Sequence, residues 1–338
     1  GYNAMLEHIN NYVRQKGGID MPKKISWVIL AALLLIFLLL CAAFFTIKGR
    51  QVPEQAKNSV QPTVVVWRTG EEKAETVTVE EAVANIVAAE RPVSFEAEAL
   101  KAQAVAARTY VMSKLKQAEG TTPTSHPEGA NICDDHKHCQ AYDDKEECKA
   151  KWGDNYAAYR QKIEAAAAAT YGQVVTYNGE LISALYHSTC GGQTEKAGDY
   201  WSSDVPALQS VSCYWDSAAP KYVSEQLIKK EDMLQKLGVT EEELASLSIA
   251  KLSDSGRIMT ISCGEKRWKG NEFRMLLGLN STAFTWVSTA EGYFFSEQGY
   301  GHGVGMCQYG ANGMAKLGKT YEEILEHYYT GVKVSQKY

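Results

Sequence analysis

The chain has 338 residues, of which 45% are hydrophobic and 22% charged, and it carries 19 tyrosines. That profile belongs to a folded protein with one large or two small units, not to a disordered chain. A net charge of −5 supplies no basic field and excludes nucleic acid as the expected partner.

Residues 1–20 lack an initial Met, and Met21 opens a signal-anchor pattern, so the natural start is expected there. Residues 25–47 contain no charge, and a helix of that length spans a bilayer core of about 30 Å. Lys23 and Lys24, with Arg14 and Lys16 behind them, outweigh Lys48 and Arg50 and place segment 1–24 in the cytosol. Leu40 before Cys41 argues against lipidation. Cleavage after Ala43 stays open, but retention as a single-pass anchor is expected, with the rest of the chain outside. Residues 48–61 are polar and read as a tether; its last eleven residues reach roughly 20 Å.

An extracytoplasmic domain over 62–338 follows. Strands are expected at 63–68 and 76–79, then two helices broken at an elbow, Glu90-Arg91-Pro92-Val93-Ser94. The second helix carries an apolar stripe of Leu100, Ala104, Ala107, Val111 and Leu115, with Ser94 as its expected cap. Its alanines let neighbours approach the backbone. Glu90 sits at a helix C-terminus, where the negative dipole end disfavours ionisation, whereas Glu96 and Glu98 lie in a first turn that favours it. Glu90 is therefore the glutamate suited to hold a proton and act as a general acid. Composition alone leaves an ordinary ion pair with a nearby Arg or Lys as the commoner outcome.

Residues 117–153 form a polar insert containing His126, Cys133, His136, His138, Cys139 and Cys148. That composition suits a structural zinc site, since a loop poor in apolar residues needs a clip. The spacing fits no standard finger, and a Cys133–Cys139 or Cys139–Cys148 disulfide is the rival. A helix at 156–171 precedes a hairpin turning at Asn178-Gly179. It leads into His187-Ser188-Thr189-Cys190-Gly191-Gly192-Gln193-Thr194, where glycines allow a ligand near the backbone. Amphipathic helices are expected at 224–237 and 241–247, and a helix at 311–317 follows the glycine-alternating run 299–310. That run lacks the basic residue of a phosphate loop. Outside the membrane, Cys190 and Cys213 are candidates for a disulfide, with Cys263 and Cys307 as competing partners.

Three stretches carry a resemblance that spans residues 62–335. They are Ala89-Glu90-Arg91-Pro92 with Phe95-Glu96-Ala97-Glu98-Ala99-Leu100-Lys101-Ala102-Gln103-Ala104-Val105-Ala106-Ala107-Arg108-Thr109-Tyr110, the His187 loop, and Gly299-Tyr300-Gly301-His302-Gly303-Val304-Gly305-Met306-Cys307-Gln308-Tyr309-Gly310. Together they resemble the stage II sporulation protein D family of membrane-anchored peptidoglycan lytic transglycosylases. The family usually has Met where Arg91 stands and Ser where Cys307 stands. The resemblance implies that Glu90 is the catalytic acid cleaving the MurNAc–GlcNAc β-1,4 linkage to anhydro-muramic ends during engulfment, on glycan strands stripped of stem peptides. Lys101, Gln103, Arg108, Tyr110, His187, Ser188, Gly191, Gly192, His302 and Gln308 would bind substrate. It further implies a structural zinc on His126, Cys133, His138 and Cys139, as in clostridial members, with His136 as substitute. Implied partners are the stage II sporulation proteins P, an amidase, and M, a membrane scaffold, at the mother cell's engulfing membrane. The expected fold is α+β: a helix-rich core with antiparallel strands around a glycan-binding groove, preceded by one transmembrane helix. A zinc-dependent amidase and a non-catalytic glycan-binding protein are the alternatives.

Overall fold

The computed structural model describes residues 61–338 apart from Arg91, Thr122 and Ser202. The expected cytosolic segment, anchor and nearly all of the tether lie outside the described residues. Among the described residues no helix is long and apolar enough to cross a membrane.

Strands β1 (Thr63–Arg68) and β2 (Lys73–Thr78) form an antiparallel hairpin, and β3 (Ile132–Cys133) pairs parallel to β1. Helix α1 (Val79–Glu90) follows β2 directly, and α2 (Ala97–Gln117) is the centre of the domain. The sequence predicts one apolar stripe on α2; the structure buries two faces. Ala99, Leu100, Ala104, Ala107 and Val111 pack into a core with α1, while Ala102, Val105 and Ala106 belong to a second core on the far side. The small side chains permit this: a helix clothed in alanine can be approached on both sides. Its first turn also differs from expectation. The cap position is Glu96, not Ser94, and makes no side-chain cap bond. The Glu96 N–H donates to Asn312 Oδ1 at 2.8 Å, so the helix start is tied to the C-terminal part of the chain.

The insert carries α3 (Lys145–Trp152), opened by an Asp144–Glu147 capping box, and α4 (Tyr156–Ala169) packs on α1 and α2. Strands β4 (Gln173–Tyr177) and β5 (Glu180–Leu181) form the expected hairpin, with Asn178 and Gly179 at φ of 50° and 83°. The predicted second strand does not continue to His187. Instead β6 (Tyr186–His187) leaves the hairpin to join a later strand, and α5 (Ala197–Trp201) comes after the glycine loop.

Residues 223–298 make a subdomain with its own core around Phe273, Phe284 and Phe295. It comprises β7 (Val223–Lys229), α6 (Lys230–Leu237), α7 (Glu241–Ala245), β8 (Ser248–Leu252), β9 (Ile258–Cys263), β10 (Lys266–Lys269), α8 (Gly270–Leu277), β11 (Phe284–Ser288) and β12 (Gly292–Gln298). The helix expected at 224–237 is half strand: Val223–Lys229 pairs with β12, and only Lys230–Leu237 is helical. The burial of β7 alternates, a period of two that short windows confuse with an amphipathic helix. The chain ends with β13 (Met306–Cys307), parallel to β6, then α9 (Gln308–Lys316), α10 (Tyr321–Tyr328) and β14 (Lys333–Gln336), which pairs with β4. The mixed α+β architecture is as expected.

Candidate active site

Glu90 is the last residue of α1, and a cleft of about 350 Å³ opens beside it. Five chain segments meet there. The end of α1 brings Ala89 and Glu90, α2 brings Tyr110, the insert brings His136, Cys139 and Gln140, and the β6–β13 junction brings both histidine loops. The volume lies in the range of small-ligand sites. Glu90 Oε1 accepts from the Ala141 N–H at 2.9 Å, and Oε2 lies 3.5 Å from the Gln308 amide. The insert and α9 thus hold opposite ends of one carboxylate. Among the described residues lining the cleft, Glu90 is the sole carboxylate.

The opposite wall depends on backbone closeness. The parallel pairing of Tyr186–His187 with Met306–Cys307 places the two loops side by side. Gly301 and Gly305 have φ of 112° and 75°; a Cβ at Gly301 would meet His187 Cβ at 2.9 Å, and one at Gly305 would strike the Leu185 carbonyl at 2.1 Å. His187 ends β6 and Ser188 follows it in a bend, and both line the cleft. The His187 Nδ1–H donates to the Val304 carbonyl at 3.1 Å, which leaves Nε2 as a buried acceptor with no partner among the described residues. His302 uses both ring nitrogens: Nδ1 accepts from the Val304 N–H, and Nε2–H donates to the Tyr186 carbonyl. Burial, with help from the Arg274 charge, pulls His302 down to about 4, and burial lowers His187 as well. Both rings are neutral at neutral pH. Trp201 packs on His302 at 5.4 Å and is 43% exposed, and Tyr300 lines the cleft at 39% exposure. Such half-open aromatic faces suit sugar rings.

Of the residues expected to bind substrate, Tyr110, His187, Ser188, His302 and Gln308 line the cleft. Lys101, Gln103, Arg108, Gly191 and Gly192 do not. Arg108 is fully buried on the other side of α2, where it donates to both oxygens of Glu80 and to the carbonyls of Ala167 and Gln173. Lys101 pairs with Glu98 at 2.6 Å, and Gln103 is fully buried. Gly191 serves packing: its N–H donates to Asp216, and a Cβ there would press on Gln298. A helix buried on every side offers few positions to a groove, and spacing alone does not say which. The sequence assigns no site role to Gln140, Tyr186 or Tyr300, yet Tyr300 lies within the 299–310 motif, Tyr186 directly precedes His187 and Gln140 directly follows Cys139, and that placement is the available signal.

The four insert residues expected to hold zinc converge. The ligand atoms of His126, Cys133, His138 and Cys139 all lie within 4.8 Å of one another. The His126 Nδ1–H donates to the Ala130 carbonyl, which presents Nε2 3.2 Å from Cys139 Sγ, the tautomer a metal ligand requires. Burial pushes the Cys133 thiol up to about 12. His136 stands outside the group and lines the cleft instead. Cys133, Cys139 and Cys148 are free thiols, and so are Cys190 and Cys213. The donor set of two sulfurs and two imidazole nitrogens fits zinc.

A family model described as stage II sporulation protein (SpoIID) matches residues 68–177. Stage II sporulation protein D of Bacillus subtilis (strain 168) is 38% identical over 277 residues, covering 81% of this chain and 79% of that protein. The protein of the same description in Bacillus amyloliquefaciens is 38% identical over 292 residues, covering 86% and 84%. The amidase enhancer of Bacillus subtilis (strain 168) is 29% identical over 310 residues, covering 74% of this chain and 40% of its own length.

Proposed function

The chain belongs to the stage II sporulation protein D family, and from that membership and the cleft beside Glu90 we propose that it is a peptidoglycan lytic transglycosylase acting in sporulation. The lone carboxylate carries this reading. Two-carboxylate glycosidases need a second acid as nucleophile or base. A transglycosylase does not, because the nucleophile belongs to the substrate.

Glu90, protonated, gives its proton to the bridging oxygen as the bond from C1 of N-acetylmuramic acid breaks and N-acetylglucosamine departs with a hydroxyl. The Glu90 carboxylate then takes the proton of the muramic C6 hydroxyl, whose oxygen bonds to C1 and closes the anhydro ring. One carboxyl group is acid and then base, and no water is consumed. The Ala141 N–H fixes one oxygen of Glu90, while Gln308 and the His187 acceptor supply polar contacts to sugar groups. Trp201 and Tyr300 offer faces for adjoining rings.

His126, Cys133, His138 and Cys139 would hold a structural zinc that keeps the insert folded. Four protein ligands leave no position for water, which disfavours the zinc amidase alternative. The membrane anchor, the preference for strands stripped of stem peptides, and work beside the stage II sporulation proteins P and M belong to the same proposal. The similarity to an amidase enhancer fits cooperation with an amidase without requiring amidase chemistry in this chain.

Mass analysis of digested peptidoglycan tests the reading. Anhydro-muramic ends are expected, with Glu90→Gln reducing them about 10²–10⁴-fold while glycan binding persists. Released stem peptides would make the chain an amidase, and unaltered strands would make it a binding protein. Full activity in Glu90→Gln would remove Glu90 as the acid.

A further inference from the structure

Behind the cleft wall, three thiols and a carboxylate from distant parts of the chain meet at one point. They are Cys190 of the glycine loop, Cys213 and Asp216 around the following turn, and Cys307 at the start of α9. All four residues are buried, and their ligand atoms lie within 4.8 Å of one another. We propose that this cluster is a second metal site, binding one zinc ion as a closed Cys3Asp centre that pins the two histidine loops together.

The geometry is close to that of such a centre. Sulfurs around a tetrahedral zinc are about 3.8 Å apart, and sulfur and oxygen roughly 3.5 Å. Here Asp216 Oδ2 stands 3.1 Å from Cys190 Sγ and 3.4 Å from Cys307 Sγ, so shifts of under about 1 Å would seat the ion.

The surroundings favour thiolates. Cys307 Sγ accepts backbone N–H bonds from Cys190 and Gly310 at 3.3 Å each, and the Tyr328 hydroxyl lies 3.0 Å from Cys213 Sγ. Donors aimed at sulfur stabilise a metal-bound thiolate, as outer-shell partners do in known centres. Asp216 Oδ2 is anchored by the N–H groups of Cys190 and Gly191 at 2.8 Å each, while buried Oδ1 has no partner among the described residues. Three thiolates, a carboxylate and Zn²⁺ sum to two negative charges. The buried guanidinium of Arg257, donating to the Cys190 carbonyl, offsets part of that charge. A Cys190–Cys213 disulfide, the expectation from sequence, would leave the convergence of Cys307 Sγ and Asp216 Oδ2 on Cys190 Sγ and Cys213 Sγ unexplained.

The test uses the full chain purified under reducing conditions and loaded with zinc or, separately, cobalt. Elemental analysis is expected to find about two zinc ions per chain, falling to about one in Cys307→Ser and in Asp216→Asn. Cys139→Ser removes the insert's metal and should retain the other. Cobalt loading of the unmodified chain requires no variant: sulfur-to-cobalt charge-transfer absorption should report thiolates at both sites, with the stronger band surviving in Cys139→Ser. Zinc content unchanged by Cys307→Ser and Asp216→Asn would overturn the proposal. So would a cobalt band abolished by Cys139→Ser, or a Cys190–Cys213 link found by non-reducing peptide mapping of metal-loaded protein.

Discussion

Arg108→Met separates a structural role from a substrate-positioning one. The guanidinium is fully buried and donates to Glu80 at 2.7 and 2.6 Å, and further to the Gln173 and Ala167 carbonyls at 3.1 and 3.2 Å. Glu80, with its side chain 15% exposed, also accepts from the Gly172 N–H and the Tyr338 hydroxyl. Methionine fills the stem's volume but leaves that carboxylate in the interior without its cation. Breaking one half of a buried pair costs about 3–5 kcal/mol. For a domain of this size that is a fall of roughly 10 °C in thermal midpoint, read by calorimetry or urea titration. The double variant Glu80→Leu/Arg108→Met should recover part of the loss, because no charge is then stranded. Turnover per folded molecule should be nearly unchanged, since Arg108 does not line the cleft. A variant that stays fully stable but loses turnover would refute this reasoning and return Arg108 to the substrate.

Chelation, or Cys139→Ser, should disorder the insert and lower thermal stability. It should also slow cleavage about 10–100-fold, since the Ala141 N–H bond to Glu90 goes with it. Cleavage abolished in a still-ordered insert, seen by hydrogen exchange, would make the metal catalytic. Acid should destabilise the domain through His302. Its folded value of about 4 lies below the ordinary 6.5, so the unfolded chain binds the extra proton, and stability falls as pH drops from 6.5 towards 4. The loss is at most roughly 3 kcal/mol, and urea titrations of His302→Gln should show a flatter dependence across that window.

Much of the helical core was legible because Leu and Ala recur at helical spacing through 97–117, and a tight hairpin was legible at Asn178-Gly179. The glutamate at the elbow was legible as a general-acid candidate because it alone ends a helix. The partners of Arg108 were not, since an arginine on an alanine-rich helix can face a groove or a buried carboxylate, and Glu80 lies 28 residues earlier. Nor was the two-residue strand Tyr186–His187, whose pairing depends on a segment more than a hundred residues later. The insert's cysteines and histidines were legible as a group because they are neighbours in sequence. Cys190, Cys213, Asp216 and Cys307 are not neighbours, and only the fold assembles them.

The parallel pairing of β6 with β13 also has a temporal consequence. Gln308 stands 218 residues from Glu90, and the His187 ring is fixed by a carbonyl 117 residues on. Contacts of such separation form late in folding, after local helices and hairpins are in place. In a chain emerging N-terminus first, α1 presents Glu90 early, yet Tyr300, His302 and Gln308 of the facing wall follow more than two hundred residues later. Until then there is a carboxylate but no cleft around it. On the proposed function, such a chain would be inert towards glycan, and competence would switch on when residues 300–308 dock.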